Sequence, residues 1–255
     1  MGGALLNGWL SNGENPKNVT VLEPNPSEWL MSLTKFGLNL NTKLLKTPDV
    51  CIIAVKPQMI EELLSQDNFS GKISRLFVSI AAGTKIQTLN QLLKKETAIV
   101  RVMPNTPATI GKGVSCILPN EHASDDQIKL VESLFSVVGQ TIRLSHEKEM
   151  DAVTAISGSG PAYVFYLIEA LTNAGVEAGL KAELAYQLAT LTVSGSGMLA
   201  EESEIKAHQL RANVTSPNGT TEAALKVLMD PKTGLFSLMS KTVPAASERS
   251  KDLGS

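Results

Sequence analysis

Four stretches of this 255-residue chain bring together residue types that bind or do chemistry where local structure alone does not ask for them. Three of them, Ala54-Val55-Lys56-Pro57-Gln58, Ser79-Ile80-Ala81-Ala82-Gly83 and Arg101-Val102-Met103-Pro104-Asn105-Thr106-Pro107-Ala108, each end a short apolar run. In an open α/β sheet the carboxyl edge of the strands is where ligands bind. Lys56 brings a cation to such an edge, although a lone lysine there is more often just solvated. Ala81, Ala82 and Gly83 are small enough to let a ligand approach the backbone. Pro104 and Pro107 stiffen the loop around Asn105, whose amide can both donate and accept. The fourth stretch, Val214-Thr215-Ser216-Pro217-Asn218-Gly219-Thr220-Thr221-Glu222, precedes the apolar helix predicted over 223–229. A helix start offers free N–H groups and the positive end of the dipole to an anion. Ser216, Thr220 and Thr221 add hydroxyls. Capping usually explains Ser or Thr at such a place, but Thr215, Ser216, Thr220 and Thr221 together exceed what capping needs, and a small carboxylate is the natural ligand. A further turn, Ser157-Gly158-Ser159-Gly160-Pro161, reads as a close-packed hinge between helices.

The elements that must position these residues change character near residue 147. Before it, the strand signals are continuous apolar runs: 19–22, 50–55, 76–80 and 98–102, followed by 114–118 and 141–144. Runs of that kind fit strands buried on both faces, the habit of a parallel sheet. Helices are expected between them, one closed by Gly37, one opened by Pro57, one over 86–93 and one over 125–138. The alternation argues for right-handed βαβ units. After residue 147 no strand is expected, and helices are predicted at about 147–156, 161–179, 182–201, 203–212, 220–229 and 234–252. The segment 162–171 is apolar around most of its circumference, with Glu169 its only charge, so it should be buried on several sides, in a bundle or at a subunit interface.

The chain opens Met1-Gly2-Gly3-Ala4-Leu5-Leu6 into a helix ending at Asn12-Gly13, and the strand that follows ends at Glu23. A glycine-rich opening, a helix and a strand ending in an acid form the second half of a dinucleotide-binding βαβ unit. No apolar strand or Gly-x-Gly turn precedes Met1, and a frayed start is the plain alternative. Composition narrows the class further. The chain has 23 Lys+Arg against 25 Asp+Glu, which removes the electrostatic argument for nucleic acid or a membrane surface. Cys51 and Cys116 lie in apolar runs without zinc spacing, and read as buried thiols, with a disulfide between them left open by the sequence. His122, His146 and His208 lie outside the four stretches, and nothing points to a metal. No uncharged apolar stretch reaches spanning length, and the start lacks the basic flank of a signal peptide, so a cytoplasmic globular protein is expected.

The ordered strings AVKPQ, SIAAG, RVMPNTPA, AISGSGPAYVF and VTSPNGTTEAAL, spread over essentially the whole chain, resemble the pyrroline-5-carboxylate reductase family. The resemblance implies an α/β Rossmann-type N-terminal domain over 1–146, its first strand missing, and an all-α dimerisation domain over 147–255. It implies a homodimer, with a ring of dimers as a larger assembly. The implied reaction is hydride transfer from NADPH or NADH to L-1-pyrroline-5-carboxylate, giving L-proline, the last step of proline biosynthesis. Carried over residue by residue, Val55, Lys56 and Pro57 line the cofactor groove and Ala81, Ala82 and Gly83 pass close to it. Asn105 lies near the nicotinamide and Asn41 reaches the adenosine ribose. Glu147 and Asn213 are weaker matches at the cofactor–substrate boundary. Ser216 and the backbone of Gly219 and Thr220 hold the substrate carboxylate, and Thr221 places its hydroxyl against the ring nitrogen as the catalytic residue.

Two departures stand out. Asn218 occupies a position where the family usually has glycine; Asn is the least costly substitute if the backbone there is left-handed. Glu23 ends the second Rossmann strand, where an acid suits the ribose 2′-hydroxyl of NADH, whereas family members commonly prefer NADPH; the choice stays open. On this reading Met1 is the methionine of a Gly-x-Gly-Asn-Met-Gly turn, with about a dozen residues, one strand and its turn, lying before it. That strand would be central in the sheet, so its loss would open the sheet in the middle. Two rivals remain: a β-hydroxyacid dehydrogenase, which would use a catalytic Lys or His and for which helices 161–179 and 182–201 offer only Lys181 at their junction, and a non-catalytic homologue that keeps only the helical assembly domain.

Overall fold

Each apolar run of the first half supplies a strand, and the alternation of side chains along each strand sends successive residues to opposite faces. The computed structural model describes residues 1–44, 47–65, 74–93 and 96–254. In chain order the first half holds α1 (Gly2–Ser11), β1 (Thr20–Val21), α2 (Glu28–Ser32), β2 (Asn39–Leu40), β3 (Cys51–Ile53) and α3 (Ile60–Ser65). It continues through β4 (Phe77–Ser79), α4 (Ile86–Leu92), β5 (Ile99–Met103), β6 (Gly113–Pro119), α5 (Asp125–Ser136), β7 (Gly139–Arg143) and α6 (Met150–Val153). The helices α7 (Gly160–Glu177), α8 (Ala182–Glu202), α9 (Ala207–Asn213), α10 (Thr220–Leu228) and α11 (Leu235–Leu253) follow. No strand occurs after residue 147 among the described residues.

The strands fall into two sheets, a parallel pair β1–β2 and a five-stranded sheet ordered β3-β4-β5-β6-β7. The division lies between β1 and β3, the place where the sequence led us to expect an opening. Helix α1 spans that division with two adjacent leucines. Leu5 joins the core of Leu76, Val78, Val100, Val102 and Ile117 with Val131 and Phe135 of α5. Leu6 joins Leu30 and Leu38 beside the two-stranded sheet. On the other face of the larger sheet, Ile53, Phe77 and Ile99 pack with Ile60, Leu64 and Leu89 from α3 and α4. Both faces are covered, as the continuous apolar runs require.

The expectation of βαβ units throughout needs one correction: β5 and β6 are antiparallel, whereas the other neighbours in this sheet are parallel. A parallel return needs a crossover of about a dozen residues or more. Between β5 and β6 there are only Pro104 and Asn105, the 3₁₀ turn Thr106–Ile110, and Gly111 and Lys112, so the chain doubles back. Two helix expectations are corrected as well. The helix expected over 147–156 is broken into a 3₁₀ turn (Glu147–Glu149), α6 and a π-helical turn (Thr154–Gly158). The one expected over 203–212 starts later, at Ala207, because the Ser203 hydroxyl accepts the Ile205 N–H in a local turn. The strand β2, with a single apolar residue, Leu40, has no run to announce it.

By their internal contacts the residues form two compact units, Met1–Gly158 together with the chain from Ala246 onward, and Ser159–Ala245. Within the second unit, α7 and α8 pack on each other across the turn that joins them. Of the two settings expected to bury 162–171, the bundle of the single chain does not do so: no residue of α7 is buried there. Phe165 is 58% exposed and Tyr166 71%, with Leu188 and Leu191 of α8 exposed too. No helix among the described residues is long and apolar enough to cross a membrane.

Candidate active site

The sequence-predicted cofactor residues sit at the carboxyl ends of their strands. Glu23 follows β1, Asn41 follows β2, Ala54, Val55 and Lys56 follow β3, Ala81 and Ala82 follow β4, and Asn105 follows β5. Helix α1 starts beside the end of β3: a Cβ added to Gly2 would lie 3.1 Å from the Cβ of Ala54. Met1 is the N-cap of α1 and gives no side-chain hydrogen bond, so the first amides of that helix are uncapped by protein. Lys56 is exposed and Pro57 opens the 3₁₀ turn that leads into α3. Gly83 is buried with φ +79°, and its close approach is to the chain's own C-terminus; a Cβ there would lie 3.0 Å from the Leu253 backbone carbon. Ser250 anchors that C-terminal segment, donating to Asp151 Oδ1 at 2.8 Å.

Beyond β4 and β5 lies a network that sequence reasoning only half found. Arg101 is buried in β5, and its Nη1 meets Glu147 Oε1 at 3.0 Å. The same Oε1 accepts the Ile86 N–H at 2.7 Å, and so caps α4, which has no cap of its own. Glu147 therefore ties β5, α4 and the start of the 147–158 segment together. Asn105 does similar work: its Oδ1 accepts the Val114 N–H at 2.9 Å and its Nδ2 donates to the Ser157 carbonyl at 3.1 Å. The signal for Arg101 was available, a charge inside the apolar run Ile99–Met103, but its partner lies far along the chain.

The helix start predicted to hold a carboxylate is built as a bare one. Gly219 is the N-cap of α10 and no side chain caps it. Ser216, Thr220 and Thr221 surround this start, and their hydroxyls form no hydrogen bond among the described residues. Thr215 differs, since its hydroxyl donates to the Arg211 carbonyl at 2.7 Å. The turn is shaped by Asn218 at φ 59°, the left-handed conformation expected of it, and by its N–H donating to Glu222 Oε2 at 2.6 Å. The next position is close-packed: a Cβ on Gly219 would fall 2.7 Å from Ser216 Oγ and 3.0 Å from the Ser216 carbonyl oxygen. Asn213 ends α9 with its Oδ1 taken by Gln209. His122, His146 and His208 are exposed, as is Lys181. Among the described residues no three His, Cys, Asp or Glu side chains are grouped to hold a metal. A depression of ≈ 210 Å³ between α1 and the Thr106–Ile110 turn, lined by Asn7, Ser11, Ala108 and Thr109 among others, contains none of the predicted residues.

A mostly parallel sheet with small and polar residues at its strand ends, followed in sequence by an all-helical unit with an uncapped helix start, defines a dinucleotide-dependent oxidoreductase of the Rossmann-plus-helical class. Comparison with known proteins narrows the class. Residues 147–253 match the model for pyrroline-5-carboxylate reductase dimerisation, and residues 1–83 match that for NADP oxidoreductase, coenzyme F420-dependent. A pyrroline-5-carboxylate reductase of Pseudomonas aeruginosa is 36% identical over 99% of this chain and 93% of its own length. One of Synechocystis sp. is 41% identical over 94% and 89%. The crystal structure of Plasmodium falciparum pyrroline carboxylate reductase with NADP bound superposes with a TM-score of 0.85 at 33% identity, covering 100% of this chain and 95% of that one. The chain belongs to the pyrroline-5-carboxylate reductase family.

Proposed function

We propose that this chain reduces L-1-pyrroline-5-carboxylate to L-proline with NADPH or NADH as reductant. The observation that carries the reading is the start of α10, where three hydroxyls and uncapped amides stand free of capping duty. Hydride is supplied by the reduced nicotinamide when it is bound. The strand ends suit such a group: Ala81 and Ala82 add no bulk, Val55, Lys56 and Pro57 line the edge after β3, and α1 starts beside Ala54 with its first amides uncapped by protein. Met1, at the N-cap of α1, and Asn41 belong to the same binding surface in this reading.

Ser216 and the backbone of Gly219 and Thr220 hold the carboxylate, aided by the helix dipole. Thr221 holds its hydroxyl at the ring nitrogen. A protonated imine is already electrophilic, so the protein's task is to fix carboxylate and nitrogen and thereby orient C5 for attack. Glu147 and Asn105 serve through the segments they fasten, Gly83 by allowing the C-terminal segment to close over its turn. The exposed apolar side chains of α7 and α8 fit a homodimer interface, and the enzyme acts as a cytoplasmic dimer. L-Proline titrated into the protein, followed by NMR, tests the carboxylate site. Binding that Ser216→Ala weakens supports the reading; binding that is absent, or that Ser216→Ala leaves unchanged, contradicts it.

A further inference from the structure

The end of β1 decides between the two dinucleotides. In dinucleotide-binding folds an acid at this strand end meets the adenosine ribose, and its charge separates a 2′-hydroxyl from a 2′-phosphate. Here that acid is Glu23, and its backbone is held from both sides by one side chain. Glu23 N–H donates to Asn41 Oδ1 at 2.9 Å, and Asn41 Nδ2 donates to the Glu23 carbonyl at 2.9 Å. Asn41 takes a left-handed φ of 53° to do so.

The carboxylate of Glu23 does not swing away from the turn that follows. Its Oε1 accepts the Asn25 N–H at 3.0 Å. That turn reads Pro24-Asn25-Pro26, so Asn25 carries the one backbone N–H among its three residues, and an anion already occupies it. The next hydroxyl, Ser27 Oγ, caps α2 by accepting the Leu30 N–H at 3.2 Å. Residues 23–28 contain two carboxylates, Glu23 and Glu28, and no cation. Lys43, two residues past Asn41, is exposed and forms no ion pair with Glu23. Glu23 Oε2 has no hydrogen bond among the described residues, so it is the acceptor that a ribose hydroxyl can use.

We infer that Glu23, positioned by Asn41, makes this enzyme selective for NADH. A 2′-phosphate finds the turn's donor taken and a fixed carboxylate facing it, while a 2′-hydroxyl finds a free acceptor. Like charges brought together at a binding surface are strongly disfavoured. The inference rests on the dinucleotide reading above, and the test separates the two.

NADH and NADPH are titrated into the full chain by nicotinamide fluorescence. Adenosine 5′-monophosphate and adenosine 2′,5′-bisphosphate serve as competing probes of the ribose end. NADH is expected to bind tighter by about tenfold or more, with the monophosphate the better competitor. Glu23→Gln, which keeps the shape and removes the charge, should tighten NADPH by about tenfold; Glu23→Ser should also weaken NADH. Equal or tighter binding of NADPH by the unaltered chain overturns the inference and leaves the reductase reading standing. So does a ratio that neither variant moves, or NADPH binding that Lys43→Ala alone abolishes. If neither dinucleotide binds, both readings fall together.

Discussion

Thr221 is half-buried at the first turn of α10, with its hydroxyl engaged by no other protein group among the described residues. Its replacement by alanine should lower kcat/KM by roughly 10- to 100-fold, the low end for lost proton-donor help, because the imine needs little. Steady-state kinetics with saturating dinucleotide checks this, and an unchanged value removes Thr221 from the chemistry. Glu147 answers to a different measurement. Glu147→Ala leaves the Arg101 guanidinium buried without its partner and uncaps α4, at a cost of about 2–3 kcal/mol in urea unfolding. Arg101→Met combined with Glu147→Leu should cost less than Glu147→Ala alone, since no charge is then left buried. Burial also pushes the Cys51 thiol up to about 11 and raises that of Cys116. The folded state favours the neutral thiol, so Cys51 should resist alkylation at pH 8. Its share of stability, full below 9.0, should be lost as pH rises towards about 11. The hydroxyls of Ser216, Thr220 and Thr221 were legible because their excess over capping needs is a local property of nine consecutive positions. The Arg101–Glu147 pair was not, since its two halves lie in different elements and neither motif names the other.

At the scale of elements, the turn into α10 depends on one left-handed residue. Asn218→Gly should leave both stability and KM nearly unchanged. Asn218→Val should cost about 1–2 kcal/mol and raise KM for the carboxylate substrate, because a β-branched side chain resists that conformation. Thermal unfolding and kinetics on the two variants check the pair. Gly37 and Pro57 closed and opened their helices where the sequence put them, since both act through their own backbone geometry. The break at 147–158 escaped notice for the opposite reason. Helical periodicity does not reveal that Asn105 draws the Ser157 carbonyl out to itself, or that the end of the π-helical turn abuts the Met103 side chain. The antiparallel turn at β6 was readable in principle from the shortness of the 104–112 connection, and was obscured by the alternating pattern before it.

Over the whole molecule, the composition of 162–171 and the exposure of α7 tell one story between them. The segment is too apolar for a solvated helix, and the single chain leaves Phe165, Tyr166 and Leu167 uncovered. Tyr166→Glu with Leu191→Asp should convert a dimer to a monomer in sedimentation velocity while far-UV circular dichroism stays helical. A chain that sediments as a monomer without these changes would contradict the dimer. Fold class was legible throughout because it follows from run length and spacing. The return of the residues from Ala246 onward to the first compact unit was not, because it is a long-range contact that composition does not reveal. The most direct test of the reductase reading is to mix the protein with reduced dinucleotide and L-1-pyrroline-5-carboxylate, following loss of nicotinamide absorbance and appearance of L-proline. Equimolar oxidation of dinucleotide and formation of L-proline is the expected result, faster with NADH than with NADPH; dinucleotide binding without any L-proline would contradict it.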